Sequence, residues 1–135
     1  MTTINVQAAT SATNSYTYTV PVGAHARVHW IHVEYTSAAG VGNRQIVAEV
    51  LNASDVVVYH VSAGAVQAAS LVRGYDFAQG IYREAAFTDG EIQVPFPVDM
   101  VVATGWKIRV RDSANISAAD SIVASLQYRN VAQQE

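Results

Sequence analysis

The sequence holds no cysteine, which removes disulfide frameworks, thiolate zinc sites and cysteine nucleophiles together. Lysine is nearly absent too: Lys107 is the single lysine among eight Lys and Arg residues, set against eleven Asp and Glu for a net charge of −3. Those cations are spread along the chain, whereas nucleic-acid binding needs them clustered to displace counterions from phosphates, so no nucleic-acid partner is expected. Charge of both signs is sparse, at 14% of 135 residues, where a free-standing domain carries about a quarter. So neutral a surface is expected to be contact surface.

No apolar run approaches the length of about 18 residues needed for a membrane helix, and no membrane partner is expected. Met1-Thr2-Thr3-Ile4-Asn5 lacks the basic segment and apolar run of a signal peptide, so the expected location is a cytoplasm or a particle assembled there. Asn52-Ala53-Ser54 and Asn115-Ile116-Ser117 match the glycosylation sequon, which has meaning only on a secretory route. Half of the residues are hydrophobic, enough for burial to offset ordering entropy, and the length suits one core.

What is present is strand periodicity. In Ser15–Val20, Tyr16, Tyr18 and Val20 share one face, and Pro21-Val22-Gly23 ends the run. Ala26–Thr36 alternates Ile31, Val33 and Tyr35 against His32 and Glu34, while Val28 and Trp30 have the opposite phase, which predicts a β-bulge near Trp30. Arg44–Asn52 and Val56–Val61 flank the polar turn Asn52–Asp55 and read as a hairpin. Ala63–Ser70 is Ala-rich, but Gly64 and Val66 weaken a helix there, and a loop leading into a strand over Ala69–Phe77 is expected. A long excursion over Ala78–Gly90 holds a short strand near Tyr82. Glu91–Val94 stops at Pro95-Phe96-Pro97, since proline cannot donate to a central ladder.

Trp106–Arg111 places Ile108 and Val110 inward and Lys107, Arg109 and Arg111 outward, the densest positive patch in the chain. Ile122–Val131 closes the series with Ala124, Leu126 and Tyr128 on one face. About eight strands without intervening helices predict an all-β fold, an antiparallel β-sandwich of jelly-roll type. The expected organisation is an N-terminal arm over 1–13, a β-sandwich over 14–131 and a C-terminal tail over 132–135.

The candidate chemistry is thin. His29 and His32, three apart on one strand, are expected on opposite faces, so they do not share a metal. His25 and His60 are the other imidazoles, and a cupin-type metal enzyme would need about three of them converging with a carboxylate. Asp112, Asn115 and Asp120 offer oxygen ligands in one loop but lack the glycine-kinked spacing of a calcium loop, and Asp112 and Asp120 read as turn caps. Glu34, Glu49, Glu84 and Glu91 offer carboxylates, with no spacing that fixes a glycosidase pair. Neither a Gly-x-Ser-x-Gly elbow nor a phosphate-binding glycine pattern occurs. No catalytic residue, metal ligand or cofactor is assigned, and the chain is not expected to be an enzyme. Seven tyrosines and two tryptophans supply either the sandwich core or an aromatic contact surface. The candidate interface residues are Trp30, Tyr82, Trp106, Lys107, Arg109 and Arg111.

Four segments resemble a known group: Tyr18-Thr19-Val20-Pro21-Val22-Gly23, Val41-Gly42-Asn43-Arg44, Pro95-Phe96-Pro97-Val98-Asp99, and Gly105–Asp112 leading to Ala118-Ala119-Asp120. Together they resemble small structural proteins of tailed bacteriophages over about Tyr16 to Tyr128. The resemblance implies a jelly-roll protein of the virion, a capsid decoration (cement) protein sitting as a homotrimer on the major capsid protein, with no catalytic residue to carry over. A carbohydrate-binding or receptor-binding module of a phage tail or head fibre is the alternative.

Overall fold

The structure, a computed structural model, describes residues 3–7, 15–40, 42–97 and 100–131. Ten strands lie among them: β1 (Thr3–Gln7), β2 (Ser15–Thr19), β3 (His25–Thr36), β4 (Ile46–Leu51), β5 (Val57–Ser62), β6 (Val72–Ala78), β7 (Glu91–Pro95), β8 (Val101–Val102), β9 (Lys107–Asp112) and β10 (Ser121–Val131). A six-stranded sheet runs β1-β10-β3-β6-β7, with β8 also on β3, and a four-stranded sheet runs β2-β9-β4-β5. With β7 and β8 set aside, the remaining eight strands have the two-Greek-key order of a jelly roll.

Alternating side chains put the core between the sheets. Ile31, Val33, Tyr35, Tyr75, Phe77, Ile92 and Leu126 from the larger sheet meet Ile46, Ala48, Val50, Ile108 and Val110 from the smaller one, all 3% exposed or less. The expected bulge is present: the β3–β10 register shifts between Gln127 and Tyr128, which face Trp30 and Val28. The residue left over is His29, so Val28 and Ile31, three apart, both point into the core. Strand parity therefore does not separate His29 from His32 as expected, because the bulge resets it.

The expected all-β sandwich is present, and three details of the β6–β7 region differ from expectation. The larger sheet is mixed, not purely antiparallel, because β7 pairs parallel to β6, with Gly74 opposite Glu91 and Ala78 opposite Pro95. The chain leaves β6, swings out, and reverses at Asp89-Gly90, whose φ values of 53° and 81° fit the Asp-Gly turn that joins Thr88 to Glu91. The short strand near Tyr82 is absent: residues 81–84 carry no strand, and the nearest backbone pairing is a single bond from Glu84 N to Gln93 O, 3.1 Å. Phe87 anchors this excursion edge-to-face on Tyr75, 5.3 Å between centroids. β6 also starts at Val72, later than Ala69, because Ser70 has a φ of 62° that strand geometry does not allow.

Within the expected N-terminal arm, Thr3–Gln7 is β1, paired antiparallel with β10 from Thr3↔Arg129 to Gln7↔Ser125. The rest of the arm and the tail over 132–135 lie outside the described residues.

Candidate functional site

The outer face of the smaller sheet gathers the charged residues. Here β9 lies between β2 and β4, so each of its outward cations has fixed neighbours: Arg111 beside Val47, Arg109 beside Glu49, Lys107 beside Leu51. Every residue of β4 is buried. Its inward side chains join the core, and its outward Val47, Glu49 and Leu51 lie beside the long aliphatic stems of those three cations, which cover apolar surface while their heads reach water.

The expected positive patch is thereby neutralised in part. Glu49, 5% exposed, accepts from Arg109 Nε at 2.7 Å and from Arg111 Nε and Nη2 at 2.9 and 3.1 Å. Burial pushes the Glu49 carboxyl up, but the hydrogen bonds from Arg111 and Arg109 outweigh it and hold the group below its ordinary value. The same bond to Glu49 raises Arg111 against the opposing effect of desolvation. Lys107 Nζ reaches Asp55 Oδ1 at 2.6 Å across the β4–β5 turn. Sequence spacing put Glu49 only among possible glycosidase carboxylates. Its position opposite β9 depends on sheet order, which local patterning does not encode.

Next to this cluster is an open cavity of about 320 Å³ lined by Val47, Glu49, Val57, His60, Ser62, Arg111 and Ser113. His60 is the cross-strand neighbour of Glu49 on β5, and Ser62 that of Val47. A second cavity of about 290 Å³ lies between Gly64 and the excursion residues Arg83, Glu84 and Ala85.

The aromatic candidates do not assemble with these cations. Trp30 stands on β3 of the larger sheet, half-buried, and Trp106, just ahead of β9, packs partly against the core. Tyr82 is 78% exposed on the excursion between β6 and β7. Tyr16, Tyr35, Tyr75 and Tyr128 are core residues. On the outer face of the larger sheet, His32 Nδ1 meets Asp76 Oδ1 at 2.5 Å, directly opposite across β3 and β6. Among the described residues, no three His, Asp or Glu side chains converge as a metal site.

One end of the sandwich carries a buried polar network. Arg44 and Asp120, both side chains fully buried, pair through Nε and Nη2 at 3.0 and 2.9 Å. Asp120 also accepts from Tyr35 OH at 2.9 Å and Ala38 N at 2.7 Å. Burial raises the Asp120 carboxyl, yet Arg44, the Ala38 amide and Tyr35 together hold it below its ordinary value. Arg44 donates as well to the carbonyls of Gly40, Gly42 and Ala38 at 3.0, 2.8 and 3.1 Å, fixing the β3–β4 connection. Gln67 links Tyr35 O and Leu71 O, each 3.0 Å from Nε2, and accepts from Tyr75 OH at 2.8 Å. Asp112 caps the β9–β10 loop by accepting from the amides of Ala114 and Asn115, as expected of a turn cap. Asp120 does more than cap a turn: it is the counter-ion of Arg44. Nothing in this network is open to a ligand, and its chemistry is that of a clamp.

Compared with protein-family models, curated proteins and solved structures, the chain gives no significant match.

Proposed function

We propose that this chain is a structural virion protein of a tailed bacteriophage, a decoration or cement protein that sits as a homotrimer on the capsid surface and clamps the major capsid protein. The observation that carries this reading is the outer edge of the smaller sheet. Val56, Val57 and Val58 are 55, 39 and 49% exposed in succession, and among the described residues β5 pairs on one side, with β4. Such edges in free monomers are guarded by lysine, proline or a bulge. This one has neither charge nor proline, only the bulge at Val58, which the β4–β5 register skips between Leu51 and Val50. An apolar strand edge on a sparsely charged domain suits repeated burial of modest area against neighbouring subunits, with avidity supplied by the trimer.

The test is co-sedimentation with undecorated capsids of the same particle. Wild-type protein is expected in the pellet, with the particles gaining heat resistance. Val57→Lys with Val58→Lys is expected in the supernatant. Wild-type protein that stays in solution and leaves heat resistance unchanged contradicts the proposal.

A second reading, a carbohydrate-binding or receptor-binding module of a tail or head fibre, is favoured by Tyr82, a large aromatic ring 78% exposed on a loop, as stacking surfaces for sugars require. A glycan array read with Tyr82→Ala and Trp30→Ala variants separates it from the first.

A further inference from the structure

We infer that the cavity on the outer face of the smaller sheet is a binding site for a small carboxylate-bearing ligand of about monosaccharide size, held by Arg111 and His60. The inference does not rest on the capsid reading, and of the β5 valines it uses only Val57, which lines the cavity.

Three observations carry it. The first is donor surplus. A guanidinium has five N–H donors. Among the described residues, Arg111 of the cavity wall uses Nε and Nη2 on Glu49, so its Nη1 keeps donors for another acceptor. The second is charge. Arg111, the guanidinium on the cavity wall, is only 29% exposed at its side chain, beside a Glu49 side chain only 6% exposed. Cations partly withdrawn from water attract an anion more strongly than freely solvated ones. The third is preorganisation: Glu49 holds the Arg111 guanidinium at two points before any ligand arrives, which removes part of the ordering loss of binding.

The rest of the lining argues for a body behind the carboxylate. His60, Ser62 and Ser113 present a ring nitrogen and two hydroxyls around the wall, and Val47 and Val57 give an apolar patch. A volume of about 320 Å³ exceeds what a bare anion fills and lies at the lower end of small-molecule sites. Glu49 is a positioning residue here, and Arg111 is the group that touches the ligand.

Titration of the isotopically labelled protein with glucuronate, glucose and acetate, followed by the NMR signals of His60 and the Arg111 Nε–H, tests the site. Glucuronate is expected to shift both saturably. Glucose, matched in size but without the carboxylate, is expected to shift neither, and acetate to bind at least about tenfold more weakly. His60→Ala, at an exposed edge-strand position, is expected to weaken glucuronate binding with the fold intact, and Arg111→Gln to abolish it. Absence of a saturable shift with glucuronate up to tens of millimolar overturns the inference. So does glucose binding as well as glucuronate, or acetate matching it. Glucuronate binding unchanged in the His60 variant and in a folded Arg111 variant places any ligand elsewhere and overturns it too; if Arg111→Gln does not fold, the His60 variant decides.

Discussion

Arg44 and Asp120 lie 76 positions apart in sequence and meet as a two-point ion pair with both side chains fully out of solvent. Their pairing ties the start of β4 in one sheet to the start of β10 in the other. Removing one partner leaves a buried charge with no counter-ion. Arg44→Ala is therefore expected to cost about 3–5 kcal/mol, read as a lower urea midpoint. Tyr35→Phe, which leaves Asp120 its Arg44 and Ala38 donors, is expected to cost only about 1 kcal/mol. Equal effects of the two would contradict the ranking.

Acid should weaken the fold through the same group. Asp120 and Glu49 are both held below their ordinary values in the folded chain, so their contribution is complete above the unfolded carboxylate range, about 3.9 to 4.3. It is lost progressively as pH falls below that range toward the folded values. Urea midpoints measured from about pH 7 to pH 3 should hold steady and then fall below about pH 4.5. Arg44→Ala should flatten the part of the slope that comes from Asp120.

At the alkaline end the sign reverses. Burial pushes Tyr16 up to about 12 and, as the largest cause in each, raises Tyr18, Tyr35 and Tyr75 as well. Their contribution is complete below the unfolded tyrosine value of about 10 and is lost as pH rises past it. Tyrosinate absorbance of these four rings should therefore appear together with loss of the β-sheet circular dichroism signal. Full ionisation of all seven tyrosines in a protein that keeps its sheet signal would contradict this.

Gly64, on the connection between β5 and β6, packs tightly against the excursion between β6 and β7. A Cβ there would lie 1.9 Å from the backbone oxygen of Glu84, so Gly64→Ala must move that backbone and is expected to destabilise by about 1–3 kcal/mol. At Gly23, where φ is +86° and nothing lies within 4 Å, alanine meets no neighbour and should cost only the left-handed backbone penalty of about 1–2 kcal/mol. Crystal structures of the two variants should show a displaced 79–90 loop in the first alone.

Much of the sandwich was legible because burial on one face enforces odd-even alternation. Tyr16, Ile108, Val110, Ala124 and Leu126 all face the side their patterning assigned, and even the bulge beside Trp30 was visible as a change of phase. The parallel β7 was missed although Asp89-Gly90 is a turn signal, because direction relative to β6 depends on the path of the whole excursion. The site was legible in part. Lys107, Arg109 and Arg111 read correctly as outward, but their neutralisation by Asp55 and Glu49 follows from β4 lying beside β9, a contact some 60 residues apart in sequence. Arg44 with Asp120 escaped for the same reason: each residue lies outside the ten strands, and only the closed sandwich brings them together.

Contact with other copies and with a capsid is the central claim, and the mass of the purified protein in solution tests it most directly. Sedimentation velocity across the micromolar range should give three times the 14.5 kDa of the single chain. A sedimenting species of 14.5 kDa at every concentration would contradict it.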